Sequence, residues 1–345
     1  MPALLIIAWL VRDVRAVDGP GPVWDYWSGF TTLRGVAQPT TTATSFVLLL
    51  AYAAAAVAAL RSAAAASVLI VTGVVTFVLR LPGVWTIADA AAPQDLRDRA
   101  LLTTYAALAA GLALIVVGAA GRRPPPEGAE RPAGPGRGTG VAVFLLLGLQ
   151  AVIFTAWEIR QTFLYPSGLY PAWFIGGPPL NTPVTEGPPG WITGAIILMA
   201  LVAAIGAVVG AVHARPLGLI AGGFVFSSGV LGMARIIDFE LYERFTDLDF
   251  EAQLNLLSFV SSLLVGPVVL VLLARKGVQR APGGRQGPWG GAGPWGVQPP
   301  GYPPPGAPGQ PPAPAPGFGP PQGGGFGPPQ GCGFGPPPSS PPPRW

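Results

Sequence analysis

The chain has 345 residues; half of them are apolar, a tenth are charged, and the formal net charge is +4. Soluble domains usually carry about 25% charged residues, so this composition argues against a soluble enzyme or binding domain. A single cysteine and a single histidine exclude an internal disulfide and leave too few ligands for an ordinary haem or zinc centre. Arginine outnumbers lysine nineteen to one, which is typical of a high-GC bacterial genome.

The first apolar stretch runs from Met1 to Val11 and is too short to cross a bilayer as a helix. Three interpretations are open: a truncated membrane span, a helix lying in the membrane interface, or a leader peptide. A leader usually has a basic start and a small-residue cleavage site, and this stretch has neither. We favour the truncated span, because Ala8–Arg12 resembles Ala156–Arg160, which ends a complete apolar run.

Seven longer runs with almost no charge follow. Each is long enough to cross about 30 Å of hydrocarbon as a helix. The sequence therefore predicts an all-α integral membrane protein, a polytopic bundle of seven full spans and one short N-terminal apolar helix. The predicted spans lie near residues 43–60, 64–80, 100–120, 140–158, 191–213, 216–235 and 254–274.

A weak internal duplication runs through these spans, with matching residues about 150 positions apart. A unit with an even number of spans returns the chain to its starting side, so two such units enter the membrane in the same direction. The pattern therefore predicts two parallel four-helix repeats. The matched pairs are Trp9 and Trp157, Arg12 and Arg160, Arg80 and Arg235, Leu101 and Leu256, Leu102 and Leu257, and Gly111 and Gly266.

The chain divides into four segments by composition. Proline and glycine interrupt helix formation in the linker, and the tail repeats GFGPP three times between Gly317 and Pro337. The tail has too little apolar surface to fold and is predicted to be disordered. It is either a solvated tether or a ligand for a protein partner that recognises polyproline II. The segments are a first membrane unit 1–120, a linker 121–139, a second membrane unit 140–275 and a tail 276–345.

The distribution of arginine predicts the orientation of the chain. The segments on the side of the linker and the tail carry eleven basic residues and two acidic ones. The other side carries nine basic and fourteen acidic residues. Because basic residues accumulate in cytoplasmic loops, we expect the linker and the tail in the cytoplasm of a plasma-membrane protein.

Polar and aromatic residues converge only on the predicted external side, at the ends of the spans. One interpretation is structural: tryptophans form an interfacial belt and arginines pair with nearby acids. The other is an external crevice between the repeats, in which arginines face an anionic group or a lipid headgroup. The candidate ligand contacts are Arg12, Arg80, Arg160, Arg235, Trp85, Trp157, Trp173, Glu158 and Asp238.

No motif in the sequence assigns a chemical reaction. The middles of the seven spans lack ionisable side chains, which argues against ion-coupled transport. We therefore expect a non-enzymatic interaction or envelope-organising protein with an external Arg/Trp face. A facilitator or lipid-handling permease is the alternative, and an enzyme of the outer leaflet is a third. We expect the lipid bilayer as a partner, and no cofactor, metal or nucleic acid.

The predicted orientation is testable at Cys332 in the tail, the one cysteine of the chain. A membrane-impermeant thiol reagent should leave intact cells unlabelled and should label the protein after lysis, because the tail is predicted to be cytoplasmic. Labelling of intact cells at the same rate as lysed ones would reverse the orientation.

Overall fold

The computed structural model describes residues 1–30, 39–61, 64–90, 92–121, 134–177, 180 and 182–275. Most of the linker and the whole tail, 276–345, lie outside these ranges. The disorder of the tail and its cytoplasmic side therefore stay predictions.

The described residues form helices and turns, with no strand among them. A short 3-10 turn, Phe245–Asp247, precedes the last helix. The helices are α1 (Pro2–Ala16), α2 (Pro20–Ser28), α3 (Ala43–Arg61), α4 (Ala65–Arg80), α5 (Gly83–Thr86), α6 (Gln94–Ala120), α7 (Arg137–Leu164), α8 (Leu169–Ile175), α9 (Pro189–Val208), α10 (Ala214–Asp238) and α11 (Phe250–Ala274).

Seven helices within the described ranges, α3, α4, α6, α7, α9, α10 and α11, are long and apolar enough to span a membrane. This confirms the predicted helical bundle with seven full spans. Helix α1 has 15 residues, about 22 Å at 1.5 Å per residue, which is shorter than the hydrocarbon thickness. The largest differences in bounds are at α6, which begins at Gln94 rather than near 100, and at α7, which ends at Leu164 rather than near 158.

Helix α9 ends at Val208, whereas the apolar pattern had predicted a span to 213. The reason is Gly210, whose φ of +68° ends the helix in a left-handed conformation. The N–H of Ala211 donates to the carbonyl of Gly206 at 2.8 Å, and the N–H of Gly210 donates to the carbonyl of Ala207 at 3.2 Å. This pair of bonds is a Schellman cap, which stops the helix before its apolar run is complete.

The short helices α2, α5 and α8 lie at one end of the bundle, together with the connections that contain them and the connection before α11; we call this end the loop face. It comprises residues 17–30, 39–42, 81–90, 92–93, 165–177, 182–188 and 239–249. Short connections, such as the turn at 209–213, lie at the opposite end. The loop face is the side that the charge distribution of the sequence predicts to be external.

The helices of the two halves have the same order of neighbours. In the first half α1 packs on α3, α3 on α4, α4 on α6, and α1 also contacts α6. In the second half α7 packs on α9, α9 on α10, α10 on α11, and α11 returns to α7. The halves meet where α10 packs on α3 and α4, and where α4 contacts α9.

Glycines allow close approach of the helices in each half. A Cβ atom on Gly73 of α4 would lie 2.5 Å from the carbonyl oxygen of Gly111 in α6. A Cβ atom on Gly266 of α11 would lie 2.5 Å from the Cβ atom of Phe226 in α10. Such contacts permit dispersion attraction between backbones, which holds helices together where lipid removes the hydrophobic driving force.

Polar side chains also join helices in the interior. The amide of Gln150 in α7 is fully buried; it donates to the Ser262 hydroxyl at 2.7 Å and accepts from the Ser261 hydroxyl at 3.3 Å. Interhelical hydrogen bonds of this kind contribute about 0.6–2 kcal/mol each in membranes. They fix α7 against α11.

The glycine contact predicts a strong position dependence of Gly→Ala substitutions. Gly73→Ala should destabilise the folded protein in detergent by about 1–3 kcal/mol, because its methyl group would collide with the backbone of α6. Gly148→Ala in α7 is the matched control, since a Cβ atom there meets nothing within 4 Å. Thermal unfolding of the two variants checks this, and equal melting temperatures would contradict the described packing.

Candidate functional site

A cavity of about 550 Å³ lies in the second half, at the loop-face end of the bundle. Side chains of α7, α9, α10 and α11 surround it, together with Asp249, which precedes α11. All of its lining residues belong to this half. The sequence had predicted a crevice between the two halves, whereas this cavity lies inside one half. We call it the larger cavity.

Three carboxylates line the larger cavity, and each binds another group of the protein. The Trp173 indole donates to Glu158 Oε2 at 3.0 Å, and the Arg160 guanidinium pairs with Glu251 Oε2 at 2.6 Å. Asp249 caps α11, because its Oδ1 accepts the Ala252 N–H at 2.7 Å. These contacts orient all three acids at the rim and wall of the cavity.

Arg235 supplies the one guanidinium among the lining residues of the larger cavity. Its Nε donates to the carbonyl oxygen of Ser28, in the first half, at 2.5 Å. A Cβ atom on Gly29 would lie 3.1 Å from Arg235 Nη2, so the absence of a side chain there leaves room for the guanidinium. Arg235 thus borders the cavity and at the same time holds α2.

The rest of the wall is aromatic or neutral and polar. Trp157 and Phe259 contribute rings, and Asn255 and Gln161 contribute amides. Hydroxyl groups come from Thr193, Ser228 and Ser258. Apolar walls with a few convergent polar groups are typical of small-ligand sites, as is a volume between about 300 and 1,000 Å³.

A smaller cavity of about 30 Å³ lies in the first half, among α1, α3, α4 and α6. It has room for about two water molecules, since one water needs roughly 10–15 Å³ by this measure. Arg80, Trp9 and Tyr52 line it, together with Thr185 from the second half.

The two cavities are lined by matching positions of the two halves. The two residues of each match are separated by one of the two intervals found in the sequence duplication, that of Trp9 and Trp157 or that of Arg80 and Arg235. The matching residues that line both cavities are Ile6 and Phe154, Trp9 and Trp157, Ser45 and Thr193, Arg80 and Arg235, Thr103 and Ser258, and Thr104 and Phe259.

Asp13, near the end of α1, has no exposed surface and binds residues of the loop face. Its carboxylate accepts the backbone N–H groups of Thr40 and Thr41, each at 2.8 Å, and their hydroxyl groups at 2.9 and 2.7 Å. Arg12 donates to the same carboxylate at 2.8 Å. A buried charge costs free energy unless it is paired in this way, so Asp13 anchors the chain that enters α3.

A second polar contact joins the two halves beside it. Arg80 donates to the carbonyl oxygen of Thr185 and to the Ser45 hydroxyl, and the Thr185 hydroxyl donates to the carbonyl oxygen of Thr40. The Thr42 hydroxyl donates to Glu186. Arg80 and Arg235 therefore each bind the backbone of a connection in the opposite half.

Burial raises the pKa of Glu186 above its ordinary value of 4.5, and the Thr42 hydrogen bond and the Arg80 charge only partly offset this. The carboxyl group is enclosed by protein, although the residue as a whole keeps some exposed surface. Desolvation disfavours the ionised form, and this is the largest cause of the shift.

The structure brings five of the nine predicted contact residues to the larger cavity. Glu158, Trp157 and Arg235 line it. Arg160 and Trp173 do not line it, but they bind the carboxylates of Glu251 and Glu158. The acids outnumber the arginine in its lining, so the cavity does not match the anionic ligand that the sequence had suggested.

The other four predicted residues lie elsewhere. Arg80 borders the smaller cavity, and Arg12 pairs with Asp13. The Trp85 indole donates to the carbonyl oxygen of Ile175 at 2.7 Å and joins α5 to α8. Asp238 is exposed at the end of α10 and lines neither cavity.

Sequence reasoning missed several residues of the site. Asp249, Glu251 and Asn255 lie at the start of α11; Glu251 and Asn255 are four residues apart, and this spacing was the available signal for a shared polar face. No local signal indicated Asp13 with Thr40 and Thr41, because their contact joins residues 27 and 28 positions apart.

No protein-family model matches the chain, and neither a curated protein nor a solved structure matches it. Its class therefore follows from the fold. With seven membrane-length apolar helices among the described residues, the chain is a polytopic helical membrane protein that contacts the lipid bilayer.

Glu186 predicts a pH-dependent effect on stability. A carboxyl whose folded pKa is raised stabilises the fold below its unfolded pKa, and this contribution is lost as the pH rises through the folded value. Glu186→Gln does not titrate and keeps an acceptor for Thr42, so its melting temperature relative to the native protein should increase from pH 4.5 to pH 8. Glu243→Gln, at an exposed residue, is the control. A pH-independent difference for Glu186→Gln would refute the assignment.

Proposed function

We propose that the protein binds a headgroup-sized ligand in the larger cavity of its second half, as a facilitator or lipid-handling permease of the plasma membrane. The observation that carries this proposal is the cavity itself, whose volume and mixed lining suit a small ligand. Its position at the end of four membrane-length helices is the level where lipid headgroups meet water.

The loop face is proposed to be external, with the C-terminal tail in the cytoplasm. The excess of basic over acidic residues on the opposite side supports this orientation. The cavity would then be reached from the medium or from the outer leaflet. Both routes are compatible with its lining of apolar and polar groups.

The two halves are proposed to be parallel repeats. The shared order of neighbouring helices supports this, as do the matching residues around the two cavities. So does the reciprocal contact of Arg80 and Arg235 with the opposite half. On this view the second repeat kept an open binding site, whereas the first repeat's equivalent space became small.

A binding role without catalysis is proposed for the cavity. Glu158, Asp249 and Glu251 are engaged by an indole, a helix N-terminus and an arginine. His213, the one histidine, lies in the turn before α10 at the opposite end of the bundle.

The second candidate is an interaction or envelope-organising role for the external Arg/Trp face. Exposed Trp24 and Trp85 favour a partner there. The indole of Trp85 and the side chains of Arg80, Arg160 and Arg235 are, however, bound to the protein's own chain. The cavity therefore gives the better-supported proposal.

Substitutions at two nearby positions of α11 test the ligand-binding proposal. Asn255 lines the cavity, whereas Leu257 is 53% exposed and lines neither cavity. Asn255→Trp should fill the cavity and remove small molecules or lipids that stay bound to the full chain in native mass spectrometry. Leu257→Trp should retain them.

Equal retention by both variants, or no bound molecule on the native chain, would count against a ligand in this cavity. The interaction role would then be the better account of the loop face.

A further inference from the structure

We propose that the ligand of the larger cavity carries a positively charged ammonium group. This inference rests on the proposed function and assigns the chemical class of the ligand. It replaces the anionic headgroup that the arginines of the sequence had suggested.

The charge of the lining is the first support. The lining carries three carboxylates, those of Glu158, Asp249 and Glu251, and one guanidinium, that of Arg235. That guanidinium already donates to the carbonyl of Ser28, and its charge is the only one in the lining that would attract an anion. A cation therefore gains more Coulomb energy in this cavity than an anion of the same size.

The aromatic wall is the second support. Trp157 lies next to Glu158 in α7, and Phe259 lines the cavity from α11. Ammonium groups bind over the faces of aromatic rings, most strongly over tryptophan, and carboxylates add to this attraction. An ammonium group with a short apolar segment would therefore match both kinds of wall.

A bare metal ion fits less well. Among the described residues, no three His, Cys, Asp or Glu side chains are placed so that they could share a metal ion. The three carboxylates are spread over a volume of about 550 Å³, which suits an organic cation with its own bulk.

Substitutions at Arg160 and at Glu251 should change the affinity for a cation in opposite directions, which distinguishes an effect of charge from damage to the fold. Arg160 lines neither cavity and pairs with Glu251, with both side chains about two-fifths exposed. Removing Arg160 leaves the cavity more negative, whereas removing the charge of Glu251 makes it less negative. Damage to the fold would weaken binding in both cases.

The probe is hexyltrimethylammonium, titrated by calorimetry into the full chain in phosphatidylglycerol nanodiscs, with hexanesulfonate as the anionic counterpart. The native chain should bind the ammonium and not the sulfonate. Glu158→Gln and Glu251→Gln should each weaken binding by about tenfold, and Arg160→Gln should strengthen it by about threefold. Asp238→Asn, at an exposed acid of the same face, should stay within about twofold of the native value.

Addition of phosphatidylethanolamine to the nanodiscs distinguishes two sources of the ammonium group. Competition by this lipid would assign the site to an aminolipid headgroup, and no competition would assign it to a free amine; both results support the proposal. Preferred binding of hexanesulfonate, or equal weakening by Arg160→Gln and Glu251→Gln, would overturn the ammonium assignment while leaving a ligand site in place. Binding of neither probe, together with identical behaviour of Asn255→Trp and Leu257→Trp, would overturn the proposed function as well.

Discussion

The exclusion of unpaired backbone polar groups from lipid is the constraint on which this structure depends. A helix satisfies its N–H and C=O groups internally, so the apolar segments must be helical throughout their length in the hydrocarbon. Irregular chain is then restricted to the ends of the bundle. At the loop face, the connections need partners for their backbone groups, and charged side chains of the helix ends supply several of them. Asp13 binds two N–H groups of the chain entering α3, and Arg80 and Arg235 bind carbonyl groups.

Those same contacts connect the two halves. Arg80 reaches Thr185, and Arg235 reaches Ser28, so each half holds a connection of the other. An arginine at a helix end is close to water and costs little there, whereas an arginine near the middle of a span would cost at least about 2.5 kcal/mol. The polar junction and the larger cavity therefore lie at one level. Arg235 belongs to both, so the larger cavity lies next to the contact between the halves.

The two cavities have similar surroundings and different volumes, about 30 and 550 Å³. Both are bordered by a tryptophan, an arginine and hydroxyl groups at matching positions. The smaller cavity, in the first half, is also lined by Tyr52 and by Thr185 of the second half. In the second half the wall carries Asp249, Glu251 and Asn255 from the start of α11. These acids change the sign of the local charge, and this change determines the class of ligand that we infer.

The sequence by itself determined the class of protein and the seven spans, because these depend on local composition. It also predicted Arg80 and Arg235 as matching positions of two repeats, from an interval along the chain. The capped end of α9 at Gly210 was missed, since the apolar run continues beyond it. Only the tertiary structure decided which partner each charged side chain binds. Arg160 pairs with Glu251 across 91 residues, and Asp13 binds Thr40 across 27. The charge of the cavity lining and the position of the cavity follow from such contacts, which depend on helix packing and have no signature in the order of residues.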